Sequence, residues 1–379
     1  MRILYLLPKL VNSGPSNVVA TLISHREMTA HDITVATFWG KDDSHDNLLS
    51  QQHVNYLPLG GVNFRAIRRL VKYVKAENIE VVHSHGLIPD IVSALIAMWV
   101  PSLRVTTIHC DIKLSYQMEY PWFKTITYTP LHFLALRMIP NRAVVSHSVQ
   151  STLPFPTKIV RNGVPQQLGN EPSQPANVKL PNEALALTLV FAGRLIKLKN
   201  VEFIIDCVNR FNQEHKQAIT FNIFGDGENE STLKAQQSEQ INFLGFDEDF
   251  SSKIPANALF VNASFTEGMP MAVIEALAKG APCLLSNIEP HREIASCITS
   301  GVVIFDFTYD SFVAAIEKLT NENQQVTVDR EALATSFSET LSDKQMVNGY
   351  LALYQHTPTS DPSLATSTQA HSSNKNRDL

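Results

Sequence analysis

The feature that most constrains this chain is a repeated alternation. Short aliphatic and β-branched runs alternate with longer segments of helical periodicity, and the pattern runs through twice. In the first half RILYLL (2–7), ITVATF (33–38), IEVVHSH (79–85), LRVTTIH (103–109), RAVVS (142–146) and TKIV (157–160) read as strands. NVVATLISH (17–25), NFRAIRRLVKYVKAE (63–77), PDIVSALIAMW (89–99) and an aromatic-rich stretch over 115–139 read as helices. In 63–77 the residues Phe64, Ile67, Leu70, Val71 and Val74 fall on one face. The alternation restarts with ALTLVFAG (186–193), a helix over 200–211, AITFNIFG (218–225), INFLG (241–245), ALFVNAS (258–264), the helix PMAVIEALAKG (270–280) and APCLLS (281–286). Such alternation means parallel sheets with helices on both faces, here two doubly wound α/β domains.

Between the halves, residues 165–183 carry four prolines and little apolar content, which is linker composition. The expected organisation is a first domain over 1–165, a linker over 166–184, a second domain over 185–340, a terminal helix over 341–356 and a polar, disordered tail over 357–379. Hydrophobic residues at 44% and charged residues at 18% suffice for two cores. A net charge of −5 argues against a nucleic-acid binder. The cysteines Cys110, Cys207, Cys283 and Cys297 form no CxxC pair, so neither a metal site nor a disulfide framework is expected, and a reducing, cytoplasmic setting is. The longest apolar run, Ile91 to Val100, is about half a membrane span and stops at Pro101. The stretch Ile3 to Leu7 is too short for a signal-peptide core.

Two segments carry chemistry. FTEGMPMAVIEALAKGAP (265–282) places Pro270 where a helix begins and Gly280 where it ends. The free N–H groups behind Gly268 make a phosphate site. Glu275 sets a carboxylate into an otherwise apolar helix, suited to the paired hydroxyls of a ribose; pairing with Lys279 at i,i+4 is the plainer alternative. FAGRLIKLKN (191–200) leaves a strand at Gly193 and brings Arg194 and Lys199 to a sheet edge. There they would stabilise a diphosphate leaving group, or simply form a basic loop.

FAGRLIKLKN, GDGE (225–228) and FTEGMPMAVIEALAKGAPCL, with VVHSH, TIH, VVSHS and VRNGV upstream, resemble in order and spacing the family-four retaining glycosyltransferases (glycosyl transferases group 1) of the GT-B fold. The resemblance spans roughly residues 1–355. It implies two Rossmann-like domains facing across a cleft, the first taking the acceptor and the second the nucleotide-sugar donor, with the terminal helix crossing back to the first. It implies catalytic roles for Arg194, Lys199, Glu267 and His109. Arg194 and Lys199 would hold the diphosphate, Glu267 the donor sugar, and His109 would lie near both. Donor binding would involve Gly14, Gly193, Gly225, Gly268, Met269 and Glu275, the last on the ribose. Gly14 stands in NSGPSN where the family has paired glycines, and the acidic residue behind His109 comes one place late, at Asp111.

The implied reaction moves a hexose from a nucleotide diphosphate, UDP- or GDP-linked, to a saccharide or lipid-linked saccharide. It proceeds with retention and without metal, as in bacterial surface polysaccharide assembly, including lipopolysaccharide. No cofactor is expected, the nucleotide sugar being a substrate. A GT-B-fold sugar-nucleotide epimerase and a non-catalytic nucleotide-sugar-binding scaffold are the alternatives. A nicotinamide-dependent dehydrogenase lacks its GxGxxG after the first strand. His83 and His85, two apart on a strand, find no third metal ligand, and Glu293 in EPHREI (289–294) reads as a structural charge. Arg65, Arg68, Arg69, Lys72 and Lys75 share one helix face, and Tyr116, Tyr120, Trp122, Phe123, Tyr128 and Phe133 follow further on. Together they suggest peripheral contact with an anionic membrane, against plain solvation of the first helix and packing of the second.

Overall fold

The computed structural model describes residues 1–167, 187–215, 218–321 and 325–355. The linker expected over 166–184 lies almost wholly outside them, and the tail expected over 357–379 wholly so.

The first sheet is built from β1 (Arg2–Leu7), β2 (Asp32–Thr37), β3 (Val54–Pro58), β4 (Val81–His85), β5 (Leu103–Ile108), β6 (Asn141–Val144) and β7 (Lys158–Ile159). Its helices are α1 (Gly14–Ser24), α2 (Asp46–Leu49), α3 (Phe64–Ala76), α4 (Leu87–Ile96), α5 (Ile112–Glu119), α6 (Trp122–Met138) and α7 (His147–Ser151). The second sheet takes β8 (Thr188–Ala192), β9 (Thr220–Phe224), β10 (Ile241–Gly245), β11 (Ala258–Asn262), β12 (Cys283–Ser286) and β13 (Val302–Phe305). Around it lie α8 (Val201–Glu214), α9 (Glu230–Lys234), α10 (Met271–Ala278), α11 (Glu289–Cys297), α12 (Tyr309–Leu319), α13 (Arg330–Thr340) and α14 (Asp343–Gln355).

Every strand pair is parallel. The strand orders are β3-β2-β1-β4-β5-β6-β7 and β10-β9-β8-β11-β12-β13. Helices on both faces explain why the strands read as continuous apolar runs: β11 is buried at all five residues. Each order reverses once, at β1/β4 and at β8/β11. In doubly wound sheets, ligands bind beyond the carboxyl ends of the strands at that reversal.

One apolar cluster runs from Tyr5 and Val105 of the first domain through Val347 and Tyr350 of α14 to Phe260 and Ile274 of the second. The last helix therefore packs back on the first domain. Its Tyr350 hydroxyl lies 2.9 Å from Thr107 Oγ1, and its Tyr354 hydroxyl 3.1 Å from that of Tyr5.

Two local expectations need correction. Phe64 does not join the buried face of α3, which consists of Ala66, Leu70 and Val74; it is the first residue of the helix and is 78% exposed. The aromatic stretch over 115–139 is two helices, broken at Tyr120 and Pro121, where an extended backbone precedes α6.

Candidate active site

The second domain assembles its share at the β8/β11 reversal. Gly193 follows β8, and its amide donates to the Phe224 carbonyl at the end of β9 (3.0 Å). Leu195 N donates to Asp226 O at 2.6 Å. A Cβ at Gly225 would lie 1.9 Å from the Gly193 carbonyl oxygen. FAGRLIKLKN and GDGE thus form one ledge of two backbones in contact, which only glycine permits at 225. Gly225 has this packing reason to be glycine; Gly193 has a different one, a backbone at φ +153° whose Cβ would press on the Phe191 ring at 3.2 Å.

On this ledge Arg194 extends into solvent, its side chain 68% exposed, and its nearest carboxylate is Glu119 at 3.9 Å, on α5 of the other domain. Lys199 is different. It is largely buried, and its Nζ lies 2.5 Å from Glu267 Oε1. Ser264 Oγ donates to the same oxygen at 2.7 Å. Burial would raise the Glu267 carboxyl pKa, but the Lys199 charge and the Lys199 and Ser264 hydrogen bonds outweigh it and hold the group below its usual value. The two residues expected to contact different parts of a donor are thus paired with each other.

Glu267 precedes the start of α10. Pro270 caps that helix without a side-chain hydrogen bond, so its first amides have no side-chain cap. The Met269 side chain is buried, and its carbonyl accepts from Asn162 Nδ2 at 2.9 Å. Four residues into α10, Glu275 is half-buried, and burial alone pushes its pKa up to about 7. No ion pair or side-chain hydrogen bond reaches its carboxylate among the described residues, and the alternative pairing with Lys279 is not formed.

The first domain supplies the facing wall at β1/β4/β5. Gly14 opens α1, whose N-terminus likewise lacks a side-chain cap; a Cβ there would meet nothing within 4 Å. His109 follows β5, with its Nε2 2.8 Å from His85 Nδ1. Burial pushes His109 down to about 4, His83 down to about 3 and His85 well below the usual histidine value, so all three are neutral near pH 7. One imidazole of the His85–His109 contact therefore donates to the other. His83 is used structurally, between the Tyr354 hydroxyl at 2.7 Å and Thr107 Oγ1 at 2.8 Å. Asp111 proves to be the cap of α5, accepting from the amides of Lys113 and Leu114.

The domains meet at the site. A Cβ on Gly268 would stand 1.7 Å from the His109 carbonyl oxygen, so the loop before α10 lies against the end of β5. Glu293, 9% exposed, accepts from His147 N at 2.7 Å and faces Arg161 at 3.1 Å, which makes it a strut between domains. Residues to which the sequence assigned no part in this site belong here too. Ser264 holds Glu267, and His85 meets His109. His291, two places from Glu293 in EPHREI, contacts the Ser286 carbonyl at 2.9 Å through Nδ1, and its buried Nε2 has no partner among the described residues. The site can therefore offer an exposed guanidinium, a buried ammonium–carboxylate pair, two uncapped helix N-termini, a half-buried carboxyl and a neutral imidazole.

Two family models match the chain: one described as Glycosyltransferase Family 4 over residues 12–166, and one described as Glycosyl transferases group 1 over residues 186–322. A UDP-Gal:alpha-D-GlcNAc-diphosphoundecaprenol alpha-1,3-galactosyltransferase of Escherichia coli is 24% identical over 69% of this chain and 71% of its own. The O-antigen biosynthesis glycosyltransferase WbnH of Escherichia coli is 32% identical over 31% of this chain and 33% of its own. Among solved structures, Anabaena HepE in complex with UDP and glucose aligns with a TM-score of 0.73 at 15% identity, over 93% of this chain and 98% of its own. Sucrose-phosphate synthase from Thermosynechococcus elongatus aligns with a TM-score of 0.73 at 13% identity and the same coverage. The fold is GT-B: two Rossmann-like domains facing across a cleft.

Proposed function

The chain belongs to the family-four, group 1 glycosyltransferases, and from that premise we propose that it is a retaining, metal-independent hexosyltransferase. It takes its sugar from a UDP- or GDP-linked donor and delivers it to a saccharide or lipid-linked saccharide acceptor in bacterial surface polysaccharide assembly. The observation that carries this reading is the β8/β11 reversal. There an exposed Arg194, the Lys199–Glu267 pair and Glu275 share one sheet edge with the uncapped start of α10. Fixed positive charge beside the bond to be broken stabilises the negative charge that grows on a departing diphosphate. Arg194, Lys199 and the α10 amides are that charge. In this reading the Glu275 carboxyl binds the ribose hydroxyls, and Glu267 and His109 approach the donor sugar from the two domains. Gly14 opens α1, whose start has no side-chain cap, and brings the first domain's free amides to the donor. The UDP held by HepE and the diphosphoundecaprenol acceptor of the galactosyltransferase relative favour a uridine donor and a lipid-linked acceptor. A lipid-linked acceptor would place the enzyme at the inner face of the cell membrane; no described helix is long and apolar enough to cross one.

Product analysis tests this. The protein is incubated with UDP- and GDP-hexoses and a lipid-linked saccharide, with and without EDTA, and the new linkage is assigned by proton NMR. Retention with EDTA-insensitive turnover is expected. An inverted product or loss of turnover in EDTA would overturn it, and isomerised nucleotide sugar without transfer would point to the epimerase.

A further inference from the structure

Helix α6, WFKTITYTPLHFLALRM, has no acidic residue and carries large apolar side chains on its outer as well as its inner side. Apolar side chains on a helix normally face a packing partner. In this protein its inner side is enclosed and fixed. His132 Nε2 lies 2.8 Å from Asp90 Oδ2 of α4, and its Nδ1 lies 2.8 Å from the Tyr116 hydroxyl of α5. Asp90 Oδ1 accepts from Ser84 and Thr106 of the sheet. This buried network sets the rotation of α6 and leaves a broad apolar face outward. Trp122 (75% exposed), Ile126 (64%), Leu134 and Met138 stand on it, continued by Met98 and Trp99 just after α4. Large apolar patches of this kind on otherwise soluble folds mark interaction sites.

Two observations say what covers the patch. Its exposed charged neighbours on α6, Lys124 and Arg137, are both cationic, and α3, with its five exposed cations, also packs on α4. Apolar side chains including tryptophan, bordered by cations, match an anionic lipid surface rather than a protein core. The patch also begins at the mouth of the cleft: Glu119, three residues before Trp122, reaches Arg194 across the domain interface.

We propose that the outer face of α6, with the end of α4, is the surface that seats this protein on an anionic bilayer. The Trp122 end faces the cleft, so that an acceptor anchored in the bilayer presents its saccharide to Arg194 and His109. The last clause rests on the lipid-linked acceptor proposed above; the docking surface itself does not.

The test is flotation of the full chain with vesicles of phosphatidylethanolamine and phosphatidylglycerol, compared with phosphatidylcholine alone. It is repeated for Ile126→Asp/Leu134→Asp, whose fold is checked by circular dichroism and UDP affinity. The wild type should float with the anionic vesicles, and the double variant should lose at least about tenfold in partitioning while keeping its UDP affinity. Equal flotation of the two proteins would overturn the proposal. So would a wild type that binds no vesicle and sediments as a dimer that the double variant breaks. Flotation needs no donor or acceptor, so a failure of the enzymatic reading leaves this result standing, and the reverse.

Discussion

Replacing Glu275 by glutamine separates the binding role of this carboxyl from its cost to the fold. Its pKa stands at about 7 against an ordinary 4.5, and burial is the cause. As pH rises from below 4.5, the unfolded chain gives up this proton first while the folded protein still holds it. Stability therefore falls with rising pH, and the penalty is complete above the folded pKa. At 1.36 kcal/mol per pKa unit the full penalty is about 3 kcal/mol. Glutamine cannot ionise and removes it. Scanning calorimetry of the free protein should then show Glu275→Gln unfolding higher than wild type at pH 8. The gain should be roughly 6–12 °C in the second domain's transition, shrinking towards zero at pH 4.5. Donor binding should move oppositely. Loss of charge-assisted bonds to two hydroxyls weakens nucleotide affinity roughly 10- to 100-fold, as read by calorimetric titration. Wild-type affinity should also rise with pH through about 7, with proton release on binding, because the ribose selects the ionised form. A melting difference that is the same at pH 5 and pH 8 would refute the burial argument. Unchanged nucleotide affinity would refute the ribose role.

Other perturbations act on neighbouring groups. Lys199→Met strands the buried Glu267 carboxylate and should cost about 3–5 kcal/mol near neutral pH, measured by denaturant unfolding. The loss should fade as acid protonates Glu267, and Lys199→Met/Glu267→Gln should recover most of it. Gly268→Ala drives a methyl into the His109 carbonyl, so the domains cannot keep their present contact. Turnover should fall roughly 100-fold while the radius of gyration in small-angle scattering increases. Because burial holds His109 near 4, the kcat profile should show no histidine inflection between pH 5.5 and 7.5; one that vanishes in His109→Asn would contradict this.

The architecture was legible because parallel strands covered on both faces leave an unmixed apolar signature, as in RILYLL and ALFVNAS. The helix limits around Pro270 were nearly so, since Pro270 and Gly280 act locally. What pattern could not supply was pairing across distance. Lys199 and Glu267 are 68 residues apart, and each motif taken singly assigns them to a ligand rather than to one another. The contact of Gly225 with Gly193 and that of Gly268 with His109 are likewise backbone approaches set by the sheet order, with no trace in local spacing. Periodicity also put Phe64 on the buried face of its helix, because a helical wheel does not register that a first-turn residue can lie outside the packed part of that face. For the aromatic stretch over 115–139 the sequence left membrane contact and packing both open, and only the His132–Asp90 anchor reveals which side of α6 is left outward.

The central claim is that the β8/β11 crevice holds a nucleotide sugar. Calorimetric titration of the full chain with UDP, GDP and their hexose conjugates, beside Arg194→Ala and Glu275→Ala, tests it most directly. The account predicts saturable binding of one nucleotide series by the wild type, weakened in both variants. No binding at millimolar concentration, or equal binding by all three proteins, would contradict it.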